Sequence, residues 1–209
     1  MPARDPQSLK LVGGRLCLDF INTVDCRNSD HPSEVLSTYP RLVSWSQHAN
    51  ILTENQARNL LQEASLHPAD ARAALERAVT IREALYRIFL AIASHHSPKA
   101  TDTEILNEEL SAAMAHMRLL KPSNPTEPWT YTFEESRLDQ MLWPITHSAA
   151  ELLTSKWLDR ICECQGQNCG WLFVDMSRNR SRKWCDMKDC GNVAKAKRHY
   201  QKTRGKRSS

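Results

Sequence analysis

Apolar positions recur at helical spacing through most of this chain, and only short stretches alternate. Residues 9–24 read Leu-Val-Gly-Gly-Arg-Leu-Cys-Leu-Asp-Phe-Ile-Asn at their centre, with Gly13-Gly14 interrupting two apolar runs. Leu16, Leu18 and Phe20 alternate with Cys17 and Asp19, which predicts a β-hairpin or a strand packed on one face. After a loop the pattern turns helical. A short helix is predicted over 40–49, Thr53 to Gln56 form a capping box that opens a second, and Asp70 caps a long third helix ending near His95. Leu75, Val79, Ile81, Leu85, Ile88, Phe89 and Ile92 give that helix a wide apolar face. Thr101 to Glu104 form another capping box, followed by Ile105, Leu106, Leu110, Met114 and Met117. The proline-bearing stretch 121–128 reads as a surface loop, and 129–133 as a short strand with the first hairpin as its candidate partner. Residues 138–158 read as a helix in which Pro144 marks a kink or the start.

Length and composition bound this picture without changing it. The chain has 209 residues, 41% hydrophobic and 25% charged, enough to bury a sizeable core. Its most apolar run, 81–93, is broken by Arg82, Glu83 and Arg87, so no membrane span is expected. The first residues lack the apolar centre of a secretory signal, which predicts a reducing, cytoplasmic setting. Seven cysteines in that setting point to metal or thiol chemistry.

Charge divides the chain in two. The net charge of +4 conceals thirteen basic against four acidic residues from 160 onward, while 1–159 is net acidic. Five of the seven cysteines also lie beyond 159. The expected organisation is α+β: a mainly helical domain over 8–158 with a small β-sheet, a four-cysteine zinc finger over 159–204 built from a β-hairpin and a basic helix, and a flexible basic tail, 205–209. A basic segment of this kind suits a polyanion, because each phosphate it neutralises releases counterions. A solvated tail kept basic for solubility is the plainer alternative.

The cysteines carry the chemistry. Cys164 and Cys169 form one pair, Cys185 and Cys190 another, each with a four-residue gap and fifteen residues between the pairs. That spacing lets two turns bring four thiolates onto one ion, a tetrahedral site favouring one structural zinc, although ligand type alone does not separate zinc from iron. Four thiolates leave no open position for catalysis. Cys162 is the surplus thiol and competes with Cys164; the equal gaps favour Cys164. Between the pairs, 170–175 reads as a strand and 176–181 as a polar turn, with Trp171, Phe173 and Trp184 as the finger's small core. A helix is predicted over 193–204. On it Val193, Ala196 and Tyr200 face the zinc core, and Lys195, Arg198 and Lys202 face away. With Arg178, Arg180, Arg182 and Lys183 from the preceding loop, these cations form a candidate surface for DNA backbone or groove.

No catalytic set stands out, and the chain is expected not to be an enzyme. Asp19 and Asp25 are a conceivable carboxylate pair, but Asp19 on an alternating strand faces solvent or caps a turn. His95-His96 closes a helix, and His116 reads as a partly buried surface residue. The sequence has no phosphate-cradling glycine loop, no nucleophile elbow and no His-Glu-x-x-His.

Two segments resemble known families. Phe173-Val-Asp-Met-Ser-Arg-Asn-Arg-Ser-Arg-Lys-Trp-Cys185, followed by Asp-Met-Lys-Asp-Cys190-Gly-Asn, resembles the CGNR zinc finger. Gly14-Arg-Leu-Cys-Leu-Asp-Phe-Ile-Asn-Thr23 resembles the start of the ABATE domain that precedes this finger in many bacterial proteins. The resemblance implies zinc ligands at Cys164, Cys169, Cys185 and Cys190, and a bacterial, stress-linked transcription regulator that binds DNA through its finger. One departure is Val193, where the family has its final Arg. The leading expectation is therefore a zinc-dependent DNA-binding regulator, nucleoid-associated in the cytoplasm, whose N-terminal domain binds an unknown small molecule or forms a homodimer. The alternatives are an RNA-binding module stacking bases on Trp171 and Trp184, a protein-interaction adaptor, or an enzyme with a pocket around Asp19, Asn22 or Asp25.

Overall fold

A computed structural model describes residues 4–124, 126–133 and 137–205, with side chains through 201. At its centre lies a long helix, α4 (Pro68–Ala93), opened by a proline in its first turn. Asp70 sits inside that turn and the cap position is His67, so the cap predicted at Asp70 falls three residues late. Ala71, Ala74, Ala78, Ile81, Leu85, Ile88 and Phe89 are buried at three- and four-residue spacing along one side of α4. The alanines let neighbouring helices approach the first half closely. Around α4 stand α1 (Leu16–Ile21), α2 (Tyr39–His48), α3 (Glu54–Leu66) and α5 (Ala100–His116). A further helix, α6 (Leu142–Leu153), packs on α1 and α5 and carries Pro144 in its first turn, where a missing N–H costs nothing.

The capping box of α3 forms as expected, with Gln56 N–H donating to Thr53 Oγ1 and Thr53 N–H to Gln56 Oε1. The box predicted at Thr101 does not: α5 starts after Lys99 with no side-chain cap. The charges there serve tertiary structure instead, since buried Asp102 takes a fork from Arg87 at 2.6 and 2.9 Å.

The predicted first hairpin is in fact helix α1. Its six residues show no alternation in burial: Cys17, Leu18, Asp19, Phe20 and Ile21 are all inside. Cys17 behaves as a small apolar residue, and Asp19 turns its carboxylate back to accept Gly13 N–H at 2.8 Å. Alternation in the sequence was therefore an accident of composition. Gly14, at φ +78, makes the turn into the helix. With no hairpin there, strand β4 (Thr130–Phe133) pairs antiparallel with β3 (Met117–Leu120), Met117 opposite Phe133. Two smaller antiparallel pairs complete the sheets among the described residues: β1 (Val24–Asp25) with β2 (Ser33–Glu34), and β5 (Ile161–Glu163) with β6 (Leu172–Val174).

One hydrophobic core crosses the boundary that charge suggests. Trp45, Phe20, Phe89, Leu172, Phe173 and Val174 belong to the same buried cluster. A buried guanidinium, Arg82, is neutralised by Glu34 and Glu83 and also donates to Thr23 Oγ1 at 3.2 Å.

The last helix, α7 (Asn192–Gly205), departs from its predicted docking. Val193 and Tyr200 are 69% and 66% exposed, and Ala194 is half-buried. The helix meets the rest of the chain through polar groups instead. Lys197 Nζ donates to Gln167 Oε1, and the Arg198 guanidinium lies 5.9 Å from the Trp184 ring centroid. The side chain of Lys202 and residues 206–209 of the predicted tail lie outside the described residues. Among those described, no helix is long and apolar enough to cross a membrane.

Candidate metal centre

The β5–β6 hairpin positions the first cysteine pair. Cys164 follows β5 and donates its N–H to Trp171 O at 2.8 Å, and the chain turns through Gly166 to Cys169. A Cβ at Gly166 would sit 2.9 Å from Cys190 Sγ, so only glycine lets this turn close against the second pair. Sulfur atoms of Cys164, Cys169, Cys185 and Cys190 all lie within 4.8 Å of one another, with Cys169–Cys185 at 3.6 Å and Cys185–Cys190 at 3.7 Å. Tetrahedral zinc–thiolate bonds of about 2.3 Å place sulfurs roughly 3.8 Å apart, so the donor set fits zinc in both chemistry and spacing. Two backbone N–H groups, of Gly166 and Cys185, point at Cys164 Sγ at 3.4 and 3.2 Å. Hydrogen bonds from the Cys169 and Cys185 thiols, with these amides, hold the Cys164 thiol well below its usual range. Cys162 is outside the cluster: half-buried on β5, it directs its thiol to the Arg160 carbonyl, and burial pushes its pKa up.

The finger is fastened to the helical domain by groups to which the sequence assigned no such role. Asn22, buried at the end of α1, both donates to Leu172 O and accepts from Leu172 N–H at 2.9 Å, standing in for a neighbouring strand. Val174 N–H donates to Gly13 O at 2.9 Å, and Arg27 N–H to Cys169 O at 3.0 Å. Lys10 bridges Asp186 and Asp189 at 2.7 Å each. Thus the stretch 10–28 forms the seat of the finger.

This seating changes the roles of several predicted contact residues. Arg182 is turned inward. Its guanidinium lies 4.1 Å over the Phe173 ring and donates to the carbonyls of Val12, Val174, Trp184 and Cys185. It is a clamp and not a nucleic-acid contact, because those carbonyls surround its five donors. Arg180 is exposed but pairs with Asp159 at 2.7 Å. Arg178, Lys183, Lys195 and Arg198 are exposed, as is Lys197, which had no assigned role. Trp171 is 5% exposed and donates to Val24 O at 2.9 Å, so it has no free face for stacking; Trp184 is half-buried.

Asp19, Asn22 and Asp25 do not converge on a reactive group. Asn22 is spent on the strand edge, and Asp25 pairs with Arg4 at 3.3 Å. Burial raises the Asp19 pKa from 3.8 to about 6, against the opposing pull of Gly13 N–H, Arg182 and His48. The folded chain therefore holds this proton more tightly than the unfolded one. Its stabilising contribution is full below pH 3.8 and is lost as pH rises through about 6. Asp19→Asn keeps an acceptor for Gly13 and removes the buried charge. We expect its margin over the parent to widen by about 1.4 kcal/mol between pH 5 and pH 7.5 in urea unfolding. An offset that does not change with pH would refute the assignment.

Comparison with known families agrees with this architecture. Residues 14–156 match ABATE, described as "Putative stress-induced transcription regulator", and residues 160–203 match the CGNR zinc finger. A search of curated proteins gave no match. With the ABATE match spanning well over half of the sequence and the four thiols gathered at metal-binding distance, the chain belongs to the ABATE family and carries a C-terminal CGNR zinc finger that binds a single structural zinc.

Proposed function

We propose that the protein is a zinc-dependent DNA-binding transcription regulator. The observation that carries this reading is the outer surface of the finger. Arg178, Lys183, Lys195, Lys197 and Arg198 are exposed there, and none makes an ion pair among the described residues. Held by a closed metal site, these cations keep their spacing, which suits the regular charge of a phosphate backbone. The acidic helical domain takes the sensing or pairing role, with a small molecule or a second copy as its partner. On this reading the chain does no catalysis and works at the nucleoid in the bacterial cytoplasm.

The test is equilibrium binding of zinc-loaded protein to duplex DNA across a salt series. We expect Lys183→Ala, Lys195→Ala and Lys197→Ala together to reduce affinity about 100-fold and to flatten the log–log salt slope by roughly 2.7, since each lost phosphate contact removes ~0.9. Unchanged affinity in the triple variant would overturn the proposal.

A further inference from the structure

Beside the metal cluster, a cleft of about 650 Å³ opens between the 165–169 turn, Trp184 and the first three turns of α7. Its size suits a small organic group rather than a water or an ion. Its floor includes Cys169 and Cys190, so the cleft exists only when the two cysteine pairs are drawn together.

The walls combine three kinds of chemistry. One wall is the half-buried Trp184 ring, with the Arg198 guanidinium 5.9 Å from its centroid. The close cation–π pairs among the described residues, Arg27 on Tyr86 and Arg182 on Phe173, measure 4.0 and 4.1 Å. Arg198 thus lies over Trp184 in a loose contact, as Arg15 does over Trp157 at 6.0 Å, and its exposed side chain must move out by about 1 Å to reach the roughly 6.8 Å needed by a flat ring stacked on both sides, taken as twice the ~3.4 Å rise of stacked bases. The turn contributes Gln165 and Gln167 and α7 contributes Gln201; side-chain amides carry donors and acceptors together, as the edge of a nucleobase requires, and the Gln167 oxygen is held by Lys197. Lys183 and Lys197 also line it, both exposed. The acidic groups there have basic partners: Asp25 pairs with Arg4 at 3.3 Å, and Asp189 shares Lys10 with Asp186 at 2.7 Å.

We infer that this cleft takes one unstacked nucleobase, inserted between Trp184 and Arg198, from a polynucleotide whose phosphates lie on the basic surface beside it. The inference rests on the nucleic-acid reading above and sharpens it. A base inside a paired stack cannot reach the cleft without being flipped out, which costs unstacking and unpairing energy. Single strands, or duplexes with an unpaired base, are therefore the preferred partners.

The experiment compares zinc-loaded protein on four probes by fluorescence anisotropy: a thymidine dodecamer, a uridine dodecamer, an abasic sugar-phosphate chain of equal length, and a fully paired twelve-base-pair duplex. At least one base-bearing strand should bind about tenfold tighter than the abasic chain, since a stacked base contributes about that much in affinity. The tighter of the two names the sugar. Trp184→Leu should remove the advantage, Trp184→Phe should restore it, and duplex affinity should stay within twofold in both. Equal binding of base-bearing and abasic chains by the unaltered protein overturns the cleft assignment, whatever the variants do, and leaves duplex binding standing. Failure to bind any probe at low salt would instead remove both readings.

Discussion

Chelating the zinc is expected to destabilise the whole chain and not only its last fifty residues. The four thiols lie within 4.8 Å of one another, and zinc binding at such sites is worth about 10 kcal/mol or more in small finger peptides. That equals or exceeds the ~5–15 kcal/mol by which most domains are stable. Were the finger a separate appendage, this energy would stay local. Here Leu172, Phe173 and Val174 have no exposed surface and share a cluster with Phe20, Trp45 and Phe89. Losing the metal frees Cys185 and Cys190, and with them the loop that carries Arg182. Strand β6 then loses the carbonyl clamp on one side while still having to satisfy Asn22 on the other. We expect at least about 5 kcal/mol of coupled loss, a fall of roughly 10–20 °C in melting temperature for a chain of this size. Thermal unfolding followed at 222 nm, with and without chelator, reads it directly. A helical signal that melts within a few degrees of the loaded protein would show that the core is not shared after all.

The reasons that parts of this structure were legible in the sequence are local ones. Helices α3 and α4 have apolar positions at a steady three- or four-residue spacing, and Thr53 with Gln56 announces the start of α3 within four residues. The metal ligands were legible because equal gaps in two pairs are rare by chance and chemically sufficient. Helix α1 was not, because five consecutive buried residues carry no helical period, and Leu-Cys-Leu-Asp-Phe happens to alternate. Asn22 and Trp171 were hidden for a different reason. Their partners, Leu172 and Val24, lie about 150 residues away in the chain, and nothing near either residue says that one amide will close a strand edge. Helix α7 misled through hydrophobicity: Val193 and Tyr200 looked like the docking face, while the contact is made through Ala194, Lys197 and Arg198.

The three arginines at 178, 180 and 182 should separate cleanly on substitution, although the sequence presents them as one basic run. Arg178→Ala is expected to leave stability within ~0.5 kcal/mol of the parent, as for most exposed surface changes. Arg180→Ala breaks an exposed pair with Asp159, for which double-mutant cycles on similar pairs give under about 1 kcal/mol. Arg182→Ala is expected to cost about 4 kcal/mol. It strips donors from the carbonyls of Val12, Val174, Trp184 and Cys185, empties the face of Phe173, and cuts a link between the finger and its seat. Hydrogen bonds from a charged donor contribute about 1.5–3 kcal/mol each, with partial overlap when one group makes several, so the total falls short of their sum. Arg182→Lys is the sharper control. It keeps the charge but replaces a planar fork of five donors with three on one atom, which cannot reach four carbonyls at once, so it should recover less than half of the loss. Urea unfolding of the zinc-loaded variants gives the three values. Should Arg182→Ala prove as harmless as Arg178→Ala, its side chain belongs in solvent with the other cations, and the seat of the finger rests on Asn22, Gly13, Lys10, Arg27 and the Trp171–Val24 bond.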